Sequence, residues 1–149
     1  MLRDDIKAET ITAMKAKDKE RTAALRLISA KIKDRDIELR GKEAGDDDAM
    51  VIDVLQKMAK QRRESIAMYE EGGRTELAEQ EKTEMAVIEE FLPQQMDEAE
   101  TKAAIDKIKA ETGAEGMKDM GKVMGELKAR HGTQLDMGRA SGWVKESLS

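Results

Sequence analysis

Between Gly113 and Gly125 the chain reads GAEGMKDMGKVMG. Wound as one helix at 100° per residue, Met117, Met120, Val123, Met124 and Leu127 form an apolar arc of the kind that faces a core. The opposite arc holds Lys118, Gly121, Lys122, Gly125, Lys128 and Ala129, with no carboxylate among them. Ammonium groups flanking a floor without side chains suit a phosphate backbone, because the lysines supply charge and the glycines permit close approach. Two interior glycines cost a helix about 1 kcal/mol each relative to alanine. Something is therefore expected to approach this face, either a phosphate backbone or a second helix seated along Gly121, Gly125 and Ala129. Only the phosphate makes use of the lysines.

Catalytic chemistry is poorly provided for. His131 is the one histidine, and its place just before Gly132 suits an interaction with helix C-terminal carbonyls better than acid–base work. A Ser-His-Asp triad would have to use that residue, and no Gly-x-Ser-x-Gly elbow exists. Phosphate-binding loops of the nucleotide and dinucleotide types are absent, so no cofactor is expected. With no cysteine, metal ligands would have to be carboxylates. The Asp46-Asp47-Asp48 run lacks the glycine and distal glutamate of a calcium loop and reads as helix capping.

A second basic feature recurs with period seven: Lys19, Arg26, Lys33 and Arg40. On one helix these make a row about 31 Å long. It reads either as a phosphate rail or as a solvated flank paired with acidic residues of the third or fourth helix. Gln61-Arg62-Arg63 forms a local knot that Glu64 and Glu70 are placed to neutralise.

The elements that must position these groups are all helical. The first is expected from Arg3 to about Lys15, with Leu2, Ile6, Ala13 and Met14 inward. Asp18 caps a second carrying Leu25, Ile28, Ile32 and Leu39. After a polar loop from Gly41 to Asp48, a third shows Val51, Leu55, Met58 and Tyr69 and stops at Gly72-Gly73. The fourth, Thr75 to about Leu92, uses Leu77, Met85, Ile88 and Phe91. Pro93, the only proline, marks the best boundary in the chain. Asp97 with Glu100 opens a fifth helix (Ala104, Ile105, Ile108) that ends at Gly113. The sixth carries the lysine–glycine face to Gly132, and a seventh runs from about Met137 to Leu148 with Ala140, Trp143 and Val144 inward. The fold class is all-α, with four helices in residues 1–94 and three in residues 95–149.

Composition sets further bounds. Net charge is −5, yet residues 1–42 carry 12 basic against 8 acidic groups, 43–116 carry 9 against 20, and 117–149 carry 6 against 4. An acidic middle separates two modestly basic ends, which argues against general nucleic-acid binding, DNA included, while permitting a localised contact. Only Tyr69, Phe91 and Trp143 are aromatic, so base stacking is not expected and folded RNA would be recognised by shape. No apolar run reaches the length of a membrane span and none follows the first residues as a signal peptide would, so a cytoplasmic protein is expected.

GMKDMGKVMGELKARHG followed by LDMGRASGWVKESL resembles the YqeY family of small bacterial proteins. AMKAKDKERTAALRLISAKIKDRDIE, VLQKMAKQRRESIAMYEEGGRTELAEQE and FLPQQM extend the resemblance along the whole chain. The family is related to the helical and tail portions of the GatB component of the glutamine-dependent aminoacyl-tRNA amidotransferase. The resemblance implies two helical subdomains and a tail module that touches the outer corner of a tRNA. Its matching positions here are Lys118, Gly121, Lys122 and Gly125, with Lys128 and Arg139 nearby. The cradle that carries phosphorylation and amide transfer has no counterpart, so this chain alone is not expected to act as a carbon–nitrogen ligase. The implied partner is tRNA or a tRNA-handling complex. The alternative is a protein–protein adaptor whose Gly/Ala groove takes a helix, and a third possibility is an accessory role in amidation in trans.

Overall fold

The structure, a computed structural model, describes residues 1–43 and 45–149. Ala44, inside the expected loop from Gly41 to Asp48, lies outside the described residues. Those residues form seven α-helices and no strand: α1 (Leu2–Lys15), α2 (Lys19–Glu38), α3 (Asp47–Glu71), α4 (Thr75–Glu90), α5 (Glu98–Thr112), α6 (Met120–His131) and α7 (Met137–Leu148). The all-α expectation is met. Two compact units result, Met1–Leu92 and Pro93–Ser149.

In the first unit, α3 and α4 make the longest antiparallel pairing, α1 packs on α2, and α2 also touches α3 and α4. The core is Ile6, Ala13, Leu25, Ile28, Ile32, Val51, Leu55, Met58 and Ile88 with their neighbours. Helix starts follow local chemistry: Asp18 accepts from the Arg21 N–H, and Asp46 accepts from those of Asp48 and Ala49. Gly73 and Gly113 take left-handed φ after α3 and α5. The same conformation after α1 falls on Lys17 (φ 59°), which carries no glycine signal. Arg3 ties three elements together, bidentate on Asp36 (2.7 and 2.8 Å) and also on Asp47 (2.8 Å). Asp36 is held below the usual carboxylate range by the Arg3 hydrogen bond.

Several inward assignments are corrected. Met14 (49% exposed), Leu39 and Leu77 face solvent, while the smaller Ala24 and Ala78 are buried. Helical period alone picks a face but not which of its residues meet a neighbour. Within the Gln61-Arg62-Arg63 knot, Arg62 is neutralised from α4, through Glu81 (3.0 Å) and Glu84 (2.9 Å). Glu70 pairs with Lys82 instead.

The Arg62 cluster has a pH signature. The single Nε–H of Arg62 goes to Glu84, so Glu81 Oε2 sits 3.0 Å from that nitrogen, buried and without a hydrogen of its own. Burial pushes the Glu81 carboxyl up; Arg62 opposes this, and Glu84 adds to it. An acid whose folded pKa is raised contributes stability at low pH that is lost as pH rises through it. Glu81→Gln, a mimic of the protonated acid, is therefore expected to gain stability relative to the parent as pH is raised from about 4 to 7. Urea titrations across that range check the slope.

The second unit is a three-helix cluster in which α5, α6 and α7 all touch. Its core joins Ile105, Ile108, Ala114, Val123, Leu127, Leu135, Ala140, Val144 and Leu148. The segment after Pro93 is part of it: Met96 N–H donates to the Gln134 carbonyl at 2.9 Å, and Gln95 Nε2 donates to the Thr133 carbonyl at 3.0 Å. Asp97 accepts from the Glu100 N–H at 2.7 Å and caps α5.

Candidate nucleic-acid interface

The lysine–glycine segment is not one continuous helix. After Gly113 turns left-handed, Ala114 is buried and Met117–Asp119 form a short 3-10 turn before α6 begins at Met120. Asp119 organises this break, its Oδ2 accepting from the Glu115 N–H at 3.0 Å and its own N–H donating to the Gly116 carbonyl at 2.9 Å. That local bonding competes with helix continuation. The Glu115 N–H holds the Asp119 carboxyl low, assisted by the charges of Lys118 and Lys122. Met117, expected inward, is 43% exposed because the turn rotates it out of the α6 register. Gly121 stands in the first turn of α6, where an interior penalty does not apply; Gly125 is interior.

On α6 itself the expected faces hold. Val123 and Leu127 are fully buried, with Met120 and Met124 packed beside them. Gly121, Lys122, Gly125, Lys128 and Ala129 are all exposed, and Lys118 is exposed in the preceding turn. A Cβ placed on Gly121 or Gly125 meets nothing within 4 Å. Among the described residues, then, no helix occupies the small-residue strip, and intramolecular packing does not account for these glycines.

The lysines are free of ion pairs. No ion pair engages Lys118, Lys122, Lys128 or Arg139 among the described residues, whereas Arg130, on the α6 flank, holds Glu111 (2.7 Å) and Glu126 (3.2 Å). Glu111 and Glu126 are thus committed to Arg130, and Asp119 is bonded to the Glu115 N–H. Lys122 Nζ lies 3.4 Å from the Thr112 carbonyl, a long contact to the end of α5. Arg139 belongs to α7 and not to α6, with its guanidinium 5.1 Å from the Trp143 ring centroid. This cation–π contact is not among the sequence expectations, although an Arg and a Trp four residues apart on a helix face are its signal. Nor is the role of Lys109, which donates to the Ser147 carbonyl at 2.9 Å and so binds α5 to the end of α7.

His131 is the last residue of α6, with Nδ1 3.3 Å from Gln134 Oε1 and no ion pair among the described residues. Among the described residues, no three His, Cys, Asp or Glu side chains are grouped to hold a metal ion, and no helix is long and apolar enough to cross a membrane.

On the first unit, Lys19, Arg26 and Lys33 lie exposed along α2, while Arg40 falls beyond its end. The helical part of the row is thus about 21 Å, not 31 Å. It is not paired with α3 or α4 among the described residues; Glu90 and Asp53 are taken by Arg21 and Arg35.

Comparison with known proteins adds a family. The family model described as Yqey-like protein matches residues 3–148. The chain is 29% identical over 128 residues to "Altered inheritance of mitochondria protein 41, mitochondrial" of Saccharomyces cerevisiae (strain ATCC 204508 / S288c), covering 82% of this chain and 68% of that one. Proteins of the same name from Lachancea thermotolerans and Eremothecium gossypii are 30% identical over 109 residues and 33% identical over 87. These alignments span 72% and 58% of this chain and 57% and 46% of theirs.

Proposed function

The chain belongs to the YqeY-like family, and from that premise we propose that it is a non-catalytic helical module that binds folded RNA, tRNA foremost, through α6 and the turn before it. One observation carries this: three exposed lysines, none ion-paired among the described residues, border a strip where two glycine Cα atoms face open space. Ammonium groups that hold no carboxylate give up little when they move to a phosphate (Lys122 only its long contact to the Thr112 carbonyl), and the bare strip lets the backbone come close. Shape recognition of a folded RNA fits, since Trp143 is half-buried beneath Arg139 and no aromatic cluster is present to stack bases. Arg139 is proposed as an outlying contact, held in position by Trp143. The kinship with the GatB component of the tRNA amidotransferase, and a cytoplasmic location beside free tRNA, belong to the same proposal. Membranes and DNA are not among the proposed partners.

Gly125 provides the test. Gly125→Ala is expected to raise stability by about 0.5–1 kcal/mol, because the helix gains alanine's propensity and the new methyl meets nothing. Gly125→Leu keeps the helix but fills the strip, and tRNA affinity is expected to fall about tenfold, a loss of about 1.4 kcal/mol. Unchanged tRNA affinity in the leucine variant would contradict close approach of a backbone. A second reading rests on the same open strip: a partner protein's helix seated on Gly121, Gly125 and Ala129. It differs in requiring the glycines while tolerating charge reversal of the lysines.

A further inference from the structure

Helix α2 has two apolar faces and the core covers only one. Ala24, Leu25, Ile28 and Ile32 point into the first unit. On the outer side Ala23, Leu27 (42% exposed), Ala30 and Ile37 (49% exposed) follow the 4-3-7 spacing of a coiled-coil seam, with Asp34 at the intervening position. Lys19, Arg26 and Lys33 run beside this seam at the flanking heptad position, all exposed and none ion-paired among the described residues. At its N-terminal end the seam opens into a groove of about 410 Å³ bounded by Met14, Lys17, Thr22, Ala23 and Arg26. A seam, a charged flank and a groove on one helix face are the parts of a helix-docking surface.

We propose that the outer face of α2 docks an amphipathic helix of another protein, one with a small aliphatic stripe bordered by a row of glutamates or aspartates. Charge complementarity selects this occupant. A second copy aligned antiparallel would set the row Lys19, Arg26, Lys33 against itself, like charge on like charge. An RNA could use the cations but would leave Leu27 and Ile37 in water, with no aromatic on this face to stack a base. A lipid surface rewards large apolar side chains, and half of this seam is alanine. A partner helix uses every part: alanines let its axis come close, Leu27 and Ile37 supply knobs, the groove takes a side chain, and Asp34 fixes register.

The test uses the intact protein and four labelled probes: a three-heptad helical peptide with alternating alanine and leucine in its stripe and glutamates on its flanks, the same peptide with lysine flanks, anionic phospholipid vesicles, and total tRNA. The glutamate peptide is expected to bind at least about tenfold tighter than the lysine peptide, with salt weakening it. Arg26→Glu with Lys33→Glu should reverse that preference, and Ala30→Arg should abolish binding of the glutamate peptide; both variants alter exposed positions that hold no ion pair among the described residues, Arg26 giving up only a 3.6 Å contact to the Met14 sulfur, and keep the parent's helicity. Equal affinity for the two peptides, no binding of either, or insensitivity to Ala30→Arg would overturn the proposal. Vesicle or tRNA binding that disappears in the Arg26→Glu, Lys33→Glu variant would also overturn it, by assigning the row to lipid or phosphate. The tRNA face on α6 is untouched by these substitutions, so the two proposals fail separately.

Discussion

Replacing Lys118, Lys122 and Lys128 together by glutamate is expected to weaken tRNA binding about 100-fold or more at moderate salt, while the circular dichroism spectrum stays that of the parent. Each reversal removes a phosphate contact and adds repulsion, so the slope of log affinity against log salt should become shallower by about one unit per lysine. The fold should survive because none of the three is ion-paired among the described residues and all three are exposed. If affinity survives the triple change with helicity intact, the assignment of the face is wrong. If helicity falls instead, the lysines hold the fold and not the RNA.

A second large effect is expected one residue away on the opposite face. Leu127 is fully buried among Ile105, Ile108, Val123 and Val144. Leu127→Ala removes buried methyl groups and leaves a cavity, at a cost of about 2–5 kcal/mol. A unit as small as Pro93–Ser149 commands a total stability of only about 3–8 kcal/mol at 0.05–0.15 kcal/mol per residue. Amide-exchange protection across α5, α6 and α7 should therefore collapse, and tRNA binding with it. Met124, only partly covered, should lose far less on the same truncation. Neighbouring residues on one helix thus separate two causes: loss of binding with the fold kept at Lys128, and loss of binding through the fold at Leu127. Retained protection in Leu127→Ala would mean that the second core is not organised around this side chain.

What could be read from the chain, and what could not, follows from the range of the interactions. Helix ends set by bonds between near neighbours were legible: the caps at Asp18, Asp46 and Asp97, the stops at Gly73 and Gly113, and the span Met137–Leu148. The left-handed Lys17 was not, because the conformation is imposed by the α1–α2 turn and not by a glycine. Nor was the break at Gly113–Asp119, where the side chain of Asp119 outcompetes the next helical hydrogen bond. Buried and exposed apolar residues were confused where the partner is distant in sequence: Met14 and Leu77 lie on apolar arcs yet face solvent, while Ala24 and Ala78 are buried. The partners of Arg62, on the neighbouring helix α4, were invisible for the same reason. At the candidate interface, the periodicity located the exposed arc of α6, but only the structure reveals that the strip at Gly121 and Gly125 is empty and that Arg139 stands on Trp143.

The central claim is that the lysine–glycine face binds folded RNA, and it is met most directly by fluorescence anisotropy of labelled total tRNA titrated with the protein over a salt series, with an RNA duplex of equal length as control. Micromolar or tighter binding is expected, favouring tRNA over the duplex, with log affinity falling against log salt at a slope of about −2 to −5 for three to six phosphate contacts. No binding at low salt, or equal affinity for tRNA and duplex, would contradict the account and leave the open strip of α6 to a protein partner.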